Sequence, residues 1–315
     1  MKELFLGEVI KQRRLDLGLT QEQTCEGICD PITLSRLETG KHLPAHNRVK
    51  ALLQRLGLPD DRYYALMSAQ ELELNTARKE LLACSCQFMD AAAGQKKQLW
   101  HQAMTQLHRL EELAENNDHI TWQCIMSRKA LLGREDGPYS PEEQLNILLE
   151  ALHLTVPNFD PEKIEIRRYT VEETRLINQI ANIYSRIGDH SKALELYDQL
   201  LRCVQKNNDN LSNYTSHLTL IAHNYACELG RQKYYSKAIE IAEQGRQVSL
   251  KYADYQFFPG FLAILGECYY FLGQLEKSKR LSIQAHYLYE ALGDECGLER
   301  IDPDIQKRFQ FEFSI

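Results

Sequence analysis

Thr20-Gln21-Glu22-Gln23-Thr24, followed by Ile32-Thr33-Leu34-Ser35-Arg36-Leu37-Glu38-Thr39-Gly40-Lys41, reads as two short helices joined by a tight connection. Thr20 is a good N-cap, which puts Gln21 in a first turn where side chain and helix N-terminus can both meet a phosphate. Cys25-Glu26-Gly27-Ile28-Cys29-Asp30 makes the connection, with Gly27 free to take a positive φ. Asp30 can cap the next helix, and Pro31 suits its first position because no N–H is needed there. Leu34 and Leu37 form the core stripe of that helix. Thr33 and Arg36 fall on another side, available to base edges in a major groove. Gly40 is the expected C-terminal stop.

The run from about Leu4 to Leu58 resembles the helix-turn-helix domain of the phage-repressor or XRE class. The resemblance rests on a first helix ending Arg13-Arg14-Leu15-Asp16-Leu17-Gly18-Leu19, the Thr-Gln start, the Leu-Ser-Arg-Leu-Glu-Thr-Gly-Lys run and a last helix over Arg48 to Leu56. It implies that Arg14 pairs with Glu38, locking the first helix to the third. It also implies base reading at Pro31, Ile32, Thr33 and Arg36, and phosphate contacts at Gln21 and Lys41, with Arg13 and His42 as further candidates. Pro31 and Ile32 depart from the pattern, because neither side chain can hydrogen-bond a base. They suit thymine methyls, so the reading leans on Thr33, Arg36 and DNA shape.

A chain of 315 residues suggests two or more domains. Its apolar fraction of 43% supports a normal core, and no apolar run is long enough to span a bilayer. Met1-Lys2-Glu3-Leu4 has no signal-peptide pattern. The nine cysteines are odd in number and irregularly spaced, which points to reduced thiols in a cytoplasm rather than disulfides or zinc. The net charge of −7 is unevenly distributed: residues 1–57 carry +2 and the remainder −9. A weakly basic head on an acidic body fits DNA binding confined to the head, with two heads needed for affinity. There is no Gly-rich phosphate loop, no HExxH and no nucleophile elbow, and His101, His108 and His119 lack a fixed acidic partner in sequence, so no enzyme and no cofactor is expected.

After Leu58-Pro59-Asp60-Asp61 nothing reads as strand. Apolar residues recur at helical spacing, and a repeat emerges on self-comparison. Ala181 and Gly266 each precede an aromatic by three residues (Tyr184, Tyr269) and a glycine by seven (Gly188, Gly273). A second small residue follows twelve after the first in Ala181/Ala193, Gly266/Ser278 and Ala226/Ala238. Small residues let paired antiparallel helices approach, and the glycine ends the first helix. This is similar to the tetratricopeptide pattern, with units beginning near 174, 219 and 259 and weaker hairpins over 73–118 and 119–158. The intervals of 45 and 40 exceed the usual length of about 34, which longer helices or loops such as Asn207-Asn208-Asp209-Asn210 would absorb. Gly133-Arg134-Glu135-Asp136-Gly137-Pro138 reads as a loop. Pro303 onward, ending Phe309-Gln310-Phe311-Glu312-Phe313, reads as a cap on the last hairpin.

The expected fold is therefore all-α: a small helix-turn-helix bundle, then a right-handed solenoid of tetratricopeptide-like hairpins. The expected divisions are a DNA-binding domain over 1–66, a linker over 67–74 and a repeat domain over 75–315. Asn178 and Asn182 are four apart on one helix, and paired carboxamides suit the grip of a peptide backbone. His223, Asn224 and Arg231 extend that row, and Arg175 and Arg186 are placed to meet a carboxylate. An XRE-like head followed by such hairpins resembles the RRNPP family of peptide-pheromone-responsive regulators of Gram-positive bacteria. That resemblance implies a cytoplasmic homodimeric quorum-sensing transcription factor, with no membrane association. Its heads would bind a palindromic operator in double-stranded promoter DNA, under allosteric control by a short signalling peptide in the repeat groove. The alternative is a DNA-associated scaffold whose repeats dock a protein partner.

Overall fold

The computed structural model describes residues 6–58, 69–91, 94–133, 139–207 and 211–309. Among these the regular elements are all helical. The head holds α1 (Leu6–Asp16), α2 (Gln21–Cys25), α3 (Pro31–Glu38) and α4 (His46–Arg55). Thr20 caps α2 in a reciprocal capping box with Gln23, and Asp30 caps α3 by accepting from the Thr33 N–H. Gly27 and Gly40 take φ of +71° and +69°, the left-handed turns that close the connection and end α3. Ile10, Leu34, Leu37, Leu52 and Leu56 fill the head's core, and Ile120 from the repeat domain joins them.

Five hairpins follow. They are α5 (Ala69–Asp90) with α6 (Lys96–Leu113), α7 (His119–Leu132) with α8 (Pro141–His153), α9 (Val171–Arg186) with α10 (His190–Lys206), α11 (Leu211–Arg231) with α12 (Tyr235–Tyr252), and α13 (Phe258–Phe271) with α14 (Leu275–Leu292). Helix α15 (Glu295–Phe309) closes the series. The first helices of successive pairs, α5, α7, α9, α11 and α13, pack on one another and form one layer of the solenoid. The small residues spaced by twelve are where the helices of a pair cross. Ala181, Ala193, Ala226, Ala238 and Ser278 are fully buried, and Ser278 Oγ donates to the Gly266 carbonyl at 2.6 Å.

Several boundaries differ from the sequence reading. Residues 69–74, expected in a linker, are the start of α5, and residues 67–68 lie outside the described residues. Residues 134–138 and 208–210, expected as loops, also lie outside them, as do residues 310–313 of the expected cap. That cap begins earlier than Pro303, which sits inside α15. The last hairpin ends in the Gly293 turn, and Asp294, through its carboxylate to the Gly297 N–H, starts the new helix there.

The head is seated on the repeats. Arg55, at the end of α4, is only 6% exposed. Its Nη2 donates to Glu173 Oε1 at 2.8 Å, and its Nη1 donates to the Glu26 carbonyl at 2.5 Å and the Thr24 carbonyl at 3.3 Å. Glu173 is itself fixed by a capping box with Thr170 at the start of α9. Asn47 donates to both oxygens of Asp118, the N-cap of α7, at 2.9 and 2.7 Å. Arg167 reaches Glu26 at 2.8 Å from the long connection between α8 and α9. Gly27 lies so close to that connection that an added Cβ would stand 2.1 Å from the Thr155 carbonyl oxygen.

The inter-helix turns carry a testable irregularity. Gly188 and Gly273 take φ of +90° and +76°, while the corresponding Lys233 takes +64° with a side chain. Left-handed backbone disfavours a Cβ by about 1–2 kcal/mol. Lys233→Gly is expected to raise the unfolding free energy by up to about 1 kcal/mol, part of the gain being offset by the greater freedom of glycine in the unfolded chain. Denaturant unfolding of the full chain checks this, and a drop in stability would contradict it.

Candidate nucleic-acid and ligand-binding sites

The outward side of α3 is open. Pro31, Arg36, Lys41 and His42 are exposed, and Ile32 is 65% exposed. Thr33 is half-buried, and its hydroxyl donates to Asp30 Oδ2 at 2.7 Å, so the side chain is spent on the helix cap. Of the four expected base-reading positions, Pro31, Ile32 and Arg36 are therefore the exposed ones. The opposite side of α3 faces the core through Leu34 and Leu37.

Arg14 and Glu38 form a bidentate pair, Nε to Oε1 at 2.6 Å and Nη2 to Oε2 at 3.0 Å, with both side chains buried. Arg14 Nη1 also donates to the Leu19 carbonyl at 3.0 Å, so one guanidinium ties α1, the turn before α2 and α3 together. Gln21 joins this network. Its Nε2 donates to Glu38 Oε2 at 2.8 Å, which turns the amide inward rather than toward a phosphate. Arg13 Nε donates to the Leu56 carbonyl at 3.0 Å and holds the end of α4. Both residues were expected at the DNA backbone. Here their hydrogen bonds serve the head, because the Leu56 carbonyl at the cap of α4 and the second oxygen of Glu38 need donors where water is scarce.

The expected peptide row is divided by the structure. Asn178 is 3% exposed and accepts from Asn224 Nδ2 at 3.2 Å, linking α9 to α11. Asn182 accepts from the Tyr197 hydroxyl at 2.5 Å, toward α10. The two amides thus point to different neighbours and are not a pair of free amides on one face. Arg186 donates to Gln144 Oε1 at 2.9 Å, and Arg231 reaches Glu228 Oε2 at 3.2 Å. Arg175 is half-buried on α9. His223 packs against Phe257 and Phe261, and burial keeps its imidazole neutral, its pKa pushed down to about 4. His223 and Arg231 line a cavity of about 290 Å³ between α11, α13 and α15, whose walls also include Gly260, Glu267, Tyr289 and Arg300. Small residues at Gly230, Gly260 and Ala263 leave the space open, and the arginines at its rim make it amphipathic.

Sequence reasoning missed Asn47, Arg55, Asp118 and Glu173, the polar groups that seat the head. The Thr170-x-x-Glu173 capping box starts α9, but nothing local marks Glu173 as the partner of Arg55, 118 positions away.

A family profile described as a helix-turn-helix domain matches residues 6–65. A second, described as the RNPP family C-terminal domain, matches residues 89–290. No curated protein matches the chain. Among solved structures, the chain is similar to Bacillus thuringiensis PlcR in complex with the peptide PapR7 and DNA, at 18% identity and a TM-score of 0.60, over 94% of this chain and 98% of that one. The apo form of PlcR gives 17% and 0.57, over 95% and 98%. ComR from S. thermophilus, in complex with DNA and its signalling peptide ComS, gives 15% and 0.52, over 96% and 99%.

The buried network predicts unequal losses on α3. Glu38→Ala strands the Arg14 charge and is expected to cost about 3–5 kcal/mol, whereas Lys41→Ala on the surface is expected within about 0.5 kcal/mol of wild type. Thermal unfolding of both variants checks this, and equal melting would contradict it.

Proposed function

This chain belongs to the RNPP family, and from that premise we propose that it is a cytoplasmic, peptide-controlled transcription regulator of the quorum-sensing kind. A homodimer binds promoter DNA through α3 of each head, and a short signalling peptide in the repeat layer adjusts that binding. The observation that carries the reading is the exposure of Ile32 and Arg36 on one side of a helix whose other side is locked into the head, with Lys41 and His42 exposed just past its end. Arg36 offers a guanidinium to a guanine edge, Ile32 an apolar contact to a thymine methyl, and Lys41 and His42 sit beyond the helix end where a phosphate runs. Among the described residues no helix is long and apolar enough to cross a membrane.

The electrostatics favour two heads. A head with a balance of +2 neutralises few phosphates, so useful affinity comes from coupling two of them. Dimerisation is assigned to the repeat domain, which leaves both recognition helices free, and the operator is then a palindrome. The peptide is assigned to the first-helix layer and the cavity between α11, α13 and α15, which offers apolar walls with charged groups at the rim.

Selection from a random duplex pool with the full chain tests this reading. The expected result is enrichment of a two-fold symmetric site, bound by a species that light scattering identifies as a dimer. Ile32→Ala with Arg36→Ala should weaken the selected site about 5- to 150-fold without lowering the melting temperature. No enrichment, or undiminished binding by the folded double variant, would overturn it.

A further inference from the structure

A separate cavity, of about 50 Å³, lies where the head meets the repeats. Arg55 lines it from the end of α4, Arg168 and Tyr169 from the segment before α9, and His217 from α11. Val171 and Thr174 bring the N-terminus of the 16-residue α9 to its wall. Two polar atoms of the lining residues are buried without a partner, the Tyr169 hydroxyl and His217 Nε2. His217 as a whole is only 6% exposed. Buried polar atoms are almost always hydrogen-bonded, so two orphans beside one cavity mark a place that a bound group completes.

The walls select for negative charge. Two arginines line the cavity and no carboxylate does. The acidic residues in the first turn of α9 are spent elsewhere: Glu173 pairs with Arg55, Glu172 pairs with Arg128, and neither lines the cavity. A helix N-terminus adds partial positive charge and favours anions. Both orphans are able to donate. Burial pushes the Tyr169 phenol up, so it keeps its proton. Burial first, and Arg175 second, push the His217 pKa down to about 3, so its imidazole is neutral and offers an Nε2–H in one tautomer. At about 10–15 Å³ for each water, the cavity has room for roughly four. A tetrahedral oxyanion places four oxygens in that space and accepts from phenol, imidazole and guanidinium donors at once.

We propose that this cavity is a binding site for a free oxyanion of phosphate size, held by Tyr169, His217 and the N-terminus of α9 between Arg55 and Arg168. The site shares no lining residue with the cavity between α11, α13 and α15, and it lies apart from the exposed side of α3. An ion bound there meets the end of α4 on the head and α9 and α11 on the repeats. It therefore binds only the seated arrangement, and by mass action it stabilises that arrangement.

Thermal unfolding of the full chain in inorganic phosphate, against sodium chloride at equal ionic strength, tests the proposal. Phosphate should raise the melting temperature saturably, by about 2–4 °C at roughly ten times its Kd, and chloride should not. Tyr169→Phe removes a hydroxyl that bonds nothing within the protein, so without phosphate it should melt at or above wild type. The same variant should bind phosphate roughly 10- to 150-fold more weakly, the loss expected for one hydrogen bond to a charged group. His217→Phe should weaken it as well. Stabilisation by phosphate as a general salt would instead grow without saturating and be equal in wild type and both variants. That result, a rise no larger than in chloride, or a full rise in Tyr169→Phe would overturn the site and leave the cavity to water. The test uses neither DNA nor signalling peptide, so its outcome is independent of the regulator reading.

Discussion

The buried pair of Arg55 and Glu173 is the constraint on which the rest of the arrangement depends. A guanidinium at the end of α4 is removed from water, and the desolvation is offset by the hydrogen bonds of both terminal nitrogens. Two carbonyls at the end of α2 take one nitrogen, and a carboxylate fixed by its own helix cap takes another. Glu173 therefore serves two structures at once, starting α9 and anchoring the head. With that point fixed, Asn47 meets Asp118, Arg167 meets Glu26, and Gly27 is pressed to the Thr155 backbone at a distance no other residue would permit. The head's docked side and its open side follow from the same geometry. The helix-turn-helix connection and α4 are spent on the repeats, and Ile32 and Arg36 are left to solvent.

The sequence made much of this legible, for physical reasons. Caps, glycine turns and small-residue spacing are local, so the ends of α2 and α3 and the last three hairpins could be read directly, and the first two only weakly. Ala181/Ala193 and Gly266/Ser278 recur at one interval because paired helices cross at one distance. The Arg14–Glu38 pair was reachable through family resemblance. What stayed hidden was long-range. Arg13 and Gln21 were expected at phosphates from the family resemblance and, for Gln21, from its place in the first turn of α2; the hydrogen bonds each makes to the Leu56 carbonyl and to Glu38 inside the head were not legible. Asn178 and Asn182 share a helical spacing, but their partners on α11 and α10 turn them apart. Helical periodicity tells which residues are neighbours along one helix, and not which neighbour each will bond.

The two halves of the molecule meet in the first turn of α9. Glu172 pairs with Arg128 of α7, and Glu173 pairs with Arg55 of the head. Adjacent residues on a helix point about 100° apart, so one turn of backbone addresses both surfaces.

A double-mutant cycle on Arg55 and Glu173 tests this seating most directly. Wild type, Arg55→Met, Glu173→Gln and the double variant would be unfolded in denaturant, with the head and the repeats followed by separate probes. The account predicts one shared transition in the wild type and a coupling energy of about 1–3 kcal/mol between the two residues. Additive losses, with the head melting independently of Glu173, would contradict it.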